Sequence, residues 1–146
     1  MKRNGEKYMK LLTKELVNTI PPLYSQEHVK DPVVWVRLFH PLSSWKFYVL
    51  EYNPAEKLFF GWNPMDKELG YASLEELEST VVRGLGIERD MYFDPKPLSW
   101  VKAGKDSDSY TLSTEEKKIG RKTSAKRPKV KRPSTKSAPS GFGGIR

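Results

Sequence analysis

Apolar positions change their period along this chain. Leu12, Leu16 and Ile20 recur every four residues, with Leu11 beside them, which predicts one short helix carrying a single apolar stripe. Thr13 is placed to cap its start, and Pro21-Pro22 must end it. So short a helix needs a sheet to pack on. The period then falls to two. "VVWVRLF" (33–39), "WKFYVLEY" (45–52) and "KLFFGW" (57–62) are rich in β-branched and aromatic residues and read as strands. "HPLSS" and "NPAE" between them carry turn chemistry, and spacers this short predict an antiparallel meander. In 33–39, alternation puts Val34, Val36 and Leu38 on one face and Trp35, Arg37 and Phe39 on the other. Both faces of 45–52 carry aromatics, as in a central strand covered on two sides.

"KELGYASLEELESTVVRGLG" predicts a strand at 68–72 and then a helix. Ser73 and Glu76 form the S-x-x-E capping pattern; Leu74, Leu77 and Val81 give the apolar face, and Gly84 and Gly86 the stop. A last edge strand is expected near 90–93, closed by Pro95 and Pro97. The fold class expected is α+β: three to five mainly antiparallel strands with two flanking helices. The segmentation expected is a compact domain at 1–100, a polar linker at 101–116 and, at 117–146, a basic arm that is intrinsically disordered or ordered by a partner.

Composition sharpens the boundary. Fifteen of the 17 aromatic residues lie in 1–100. Residues 1–100 carry 13 Lys and Arg against 14 Asp and Glu, whereas 101–146 carry 13 against 4, so the net +8 belongs to an appendage. With no cysteine, disulfides and thiolate metal sites are excluded, which fits a reducing, cytoplasmic setting. No apolar stretch approaches the roughly 20 residues needed to span a bilayer, and the basic N-terminus has no unbroken apolar region of a signal peptide. No membrane partner and no cofactor is expected.

Seven ordered phrases carry a resemblance: "LLTKEL" (11–16), "PPLYSQE" (21–27), "DPVVWVRLFHP" (31–41), "WKFYVLEYNP" (45–54), "FFGW" (59–62), "ELGYASLEELES" (68–79) and "GIERD" (86–90). Together they resemble the bacterial small-protein family called domain of unknown function 2958. The resemblance covers about residues 11–94 and implies a gene carried on plasmids, integrative elements or phages. It implies no biochemical activity, and the basic arm lies outside the shared pattern.

The arm is the leading candidate for function. Lys117, Lys118, Arg121, Lys122, Lys126, Arg127, Lys129, Lys131, Arg132, Lys136 and Arg146 are accompanied by no acid. Self-repulsion extends such a segment, and displacing condensed counterions from a polyanion favours its binding. Pro128, Pro133 and Pro139 stiffen it. Phe142 is its only aromatic, so the expectation is a grip on RNA or DNA phosphates with little sequence preference, as in a ribonucleoprotein assembly. A solvated solubility tail is the plainer alternative.

Glu88, Arg89 and Asp90 form the most enzyme-like polar cluster, although a structural ion pair with Arg89 explains such a triplet more economically. His28 and His40 are too few for a transition-metal site without cysteine. Three functions follow: a non-enzymatic nucleic-acid-associated protein; an accessory protein of a mobile element acting on a protein partner through its globular domain; and a small enzyme using Glu88 and Asp90.

Overall fold

A computed structural model describes residues 10–120. Its centre is a five-stranded antiparallel sheet. In chain order its strands are β2 (Val36–Phe39), β3 (Lys46–Asn53), β4 (Leu58–Asn63), β5 (Glu68–Ser73) and β8 (Glu88–Arg89), and in space they run β5-β4-β3-β2-β8. Two minor ribbons complete the strands: β1 (Val33–Val34) with β9 (Lys96–Pro97), and β6 (Val81–Val82) with β7 (Leu85–Gly86). The helices are α1 (Lys14–Thr19), α2 (Leu74–Ser79), α3 (Leu98–Lys102) and α4 (Thr114–Ile119).

The expected meander is present, and its two long hairpins use one loop design. Asn53 and Asn63 each begin an Asn-Pro-x-x-Lys loop, and each side-chain oxygen accepts the N–H two residues on, from Ala55 and Met65. Lys57 and Lys67 then take positive φ (54° and 56°), turning the chain into the next strand. Where β3 and β4 cross, Gly61 is required: a Cβ there would lie 2.2 Å from the Tyr48 carbonyl oxygen.

Both sheet faces are covered, so β3 is buried along nearly its whole length. On one face Val36, Leu38, Phe47, Val49 and Phe59 pack beneath Leu11, Leu12 and Ile20, with Leu16, Val17, Leu77 and Ile119 from α1, α2 and α4 at the margin. On the other face Tyr48, Leu50 and Phe60 meet Leu98 and Val101 of α3. Both predicted caps form, with Thr13 accepting from Leu16 N–H and Ser73 from Glu76 N–H.

Four expectations need correction. The strand at 33–39 is broken at Trp35, whose N–H bonds to Val49 O. Val34 therefore belongs to one core while Trp35, Val36 and Leu38 belong to the other, and simple alternation fails. The second helix stops at Ser79, because the Ser79 and Thr80 hydroxyls bond back to Glu76 O. Val81, half exposed, instead enters the β6–β7 ribbon, turned by Arg83 and Gly84 at positive φ. The edge strand falls at 88–89, not 90–93. Finally, residues 101–116 are not a free linker. They hold the end of α3 and the start of α4, the latter with a full Ser113–Glu116 capping box, and Leu112 packs on the core.

Candidate functional site

Polar groups converge on the α3 face of the sheet. Arg37 on β2 and Tyr48 on β3 are cross-strand neighbours and share that face. Asp90 follows β8, and its N–H bonds to Arg37 O, extending the β2–β8 ladder by one residue. This brings the Asp90 carboxylate onto the Arg37 guanidinium as an ion pair. The second Asp90 oxygen accepts Tyr92 N–H at 2.9 Å and fixes the turn at 90–93.

Asp106 arrives from the loop after α3. Its Oδ2 accepts the Tyr48 hydroxyl at 2.6 Å and lies 3.5 Å from Arg37 Nε, an ionic contact rather than a hydrogen bond. Lys96 closes the cluster. It is 0% exposed, donates to the carbonyls of Asp106 and Asp108 at 2.6 Å each, and lies 4.7 Å from the Phe93 ring centroid.

Burial first, then the bond and charge of Asp106, push the Tyr48 phenol well above its ordinary range, with Arg37 opposing. Burial lowers Lys96, against the opposing charges of Asp94, Asp106, Asp108 and Asp90. The phenol stays a donor to Asp106, and both Lys96 bonds go to carbonyls of the same loop. Chemically, the arrangement is a clamp that ties residues 103–110 to the sheet.

The Glu88, Arg89 and Asp90 triplet is split by the strand. Glu88 pairs opposite Phe39 and Arg89 opposite Leu38, so neighbours face opposite sides. Arg89 donates to the carbonyls of Lys10 and Leu11, while Asp90 pairs with Arg37 across the sheet. Asp90, Arg89 and Met91 line an open groove of about 250 Å³ with Thr13, Glu15 and Trp35; Glu88 does not line it.

His40 is buried, bonding Leu85 O through Nε2 and accepting Leu42 N–H at Nδ1. Sequence reasoning missed a second buried polar centre. Glu51 accepts the N–H groups of Tyr24 and Gln26, and Gln26 binds Val33 N–H, Val33 O and Leu50 O. It also missed Lys96, which no local pattern marks as buried.

Of the arm residues, Lys117 and Lys118 are exposed in the last turn of α4. Arg121, Lys122, Lys126, Arg127, Lys129, Lys131, Arg132, Lys136 and Arg146 lie outside the described residues. Among the described residues, no helix is long and apolar enough to cross a membrane.

A family model described as a protein of unknown function, DUF2958, matches residues 10–110. No curated protein and no solved structure matches the chain.

Proposed function

For a chain that belongs to the DUF2958 family, we propose a nucleic-acid-associated, non-enzymatic role in which the arm from Lys117 to Arg146 grips RNA or DNA phosphates. The observation that carries this reading is the partition of charge. Residues 10–120 hold 14 Lys and Arg against 17 Asp and Glu, while residues 121–146 hold nine Lys and Arg and no acid. The domain also commits part of its positive charge internally: Arg37 to Asp90, Lys96 to two carbonyls, Lys57 to Glu75. Nucleic acid therefore gains most from the arm, by counterion release.

The test is binding of a fluorescent single-stranded oligonucleotide and a duplex at 50 mM salt. The full chain is compared with a variant whose nine cations at 121–146 are changed to Gln. Affinity is expected to fall at least about 100-fold for both ligands. Equal binding by the two proteins would remove the arm from the account.

A second reading, an adaptor or inhibitor of a mobile element acting on a protein partner, is favoured by Leu42, Val82 and Leu85. These exposed apolar residues gather around the His40–Leu85 contact. It requires a stoichiometric partner that survives nuclease treatment and neutralisation of the arm.

A further inference from the structure

The α3 face carries cations that the clamp does not use. Lys102, in the last turn of α3, places its ammonium 4.3 Å from the centroid of the Trp62 ring on β4. Three residues on, Lys105 N–H bonds back to Trp100 O, and this C-terminal cap folds the Lys105 ammonium over Trp100, 5.1 Å from its centroid. Trp100 is braced from the side by Tyr110, edge-on at 4.8 Å, and Tyr110 is in turn bonded to Glu116.

Among the described residues, neither Lys102 nor Lys105 has a carboxylate partner. Both are exposed, and both indoles are half-buried. Two ammonium groups over two half-buried indoles, one on α3 and one on β4, combine the elements that single-stranded nucleic acid requires. These are π-faces for bases and cations for the adjoining phosphates.

We propose that the Trp62–Lys102 and Trp100–Lys105 pairs form a second contact surface on the domain, which stacks bases of a single-stranded RNA or DNA while the two lysines take its phosphates. This rests on the nucleic-acid reading above and adds a stacking element that the arm lacks. Each lysine lies on its indole in the free protein and swings to a phosphate as a base replaces it. Charge selects the occupant, because an aromatic surface flanked by unpaired cations favours a polyanion with flat rings over a neutral peptide.

The geometry allows both contacts at once. Ile119 and Gly120 lie on the opposite side of the sheet, against its other core and Trp35. The 26 residues beyond Gly120 can span up to about 86 Å when extended, several times the thickness of a three-layer domain.

The experiment titrates the full chain with dodecauridylate, with dodecathymidylate and with base-free polyphosphate, following tryptophan emission across a salt series. Both oligonucleotides are expected to quench emission; polyphosphate is not. Lys102→Gln with Lys105→Gln should weaken oligonucleotide binding about tenfold at low salt. It should also reduce the slope of log affinity against log salt by about 1.4, for two lost phosphate contacts. Trp62→Phe with Trp100→Phe should abolish most of the quenching, with far-ultraviolet dichroism checking the fold. An unchanged slope and affinity in the lysine variant overturns the proposal, as does equal quenching by polyphosphate. These outcomes are separate from failure of the arm: a patch that fails leaves the arm's salt dependence intact, whereas an arm that fails leaves the slope unaltered by arm neutralisation.

Discussion

Replacing Gln26 by Leu tests the internal logic of the fold. The side chain is nearly the same size, so little volume changes, but three hydrogen bonds go: Nε2 to Val33 O at 3.0 Å, Nε2 to Leu50 O at 2.9 Å, and Val33 N–H to Oε1 at 2.6 Å. Val33 is 0% and Leu50 2% exposed, so water does not replace the lost partner. A net contribution of about 1 kcal/mol per bond gives a loss of about 3 kcal/mol, more where the Val33 N–H is left buried and unpaired. For a domain of this size that lowers the melting temperature by roughly 12 °C or more. Urea unfolding followed by tryptophan emission measures it, with the slope against denaturant expected to stay constant. A loss below about 1 kcal/mol would refute the claim that Gln26 ties the 21–28 turn to the sheet.

Gly61→Ala forces a Cβ to within 2.2 Å of Tyr48 O and 2.9 Å of the Phe47 ring, and is expected to destabilise by at least about 3 kcal/mol. Gly70→Ala, with nothing within 4 Å, should change stability by under about 1 kcal/mol in the same melt. Tyr48 and Tyr110 should stay un-ionised in an absorbance titration at pH values where the unfolded chain forms phenolate, since burial and their bonds to Asp106 and Glu116 raise both. A raised folded value adds stability that is fully present below about pH 10 and is lost as pH rises further. Stability should therefore fall above pH 10, and fall less steeply in Tyr48→Phe, while Lys96, lowered by burial, contributes the opposite slope in both proteins.

Local signals carried much of this architecture. Thr13, Pro21-Pro22, Ser73 and the two Asn-Pro loops act within four residues of themselves, and each worked as its chemistry requires. The capping box at Ser113 was equally local but lay inside a polar stretch, so α4 passed for linker. The break at Trp35 could not be read, because its bond to Val49 is set by the register of two strands. The clamp was hidden for the same reason. Arg37 meets Asp90 across 53 positions, and Tyr48 meets Asp106 across 58. Adjacency could not show that Asp90 serves Arg37, nor that Arg89 reaches back to the Lys10 and Leu11 carbonyls. Val81 and Val82 suit a helix face or a ribbon equally well, and the bonds of the Ser79 and Thr80 hydroxyls to Glu76 O end the helix before them.

The central claim is that the cationic arm supplies most of the grip on the polyanion, and the net-acidic domain that carries it only a minor share. Its most direct test is the slope of log affinity against log salt for the full chain and for the arm-neutralised variant on the same single-stranded oligonucleotide. About six phosphates engaged by the arm contribute a slope of about −4 and the two patch lysines about −1.4, so the full chain should show about −5 to −6 and arm neutralisation should leave about −1 to −2. A steep slope that survives neutralisation, or a shallow slope in the full chain, would contradict it.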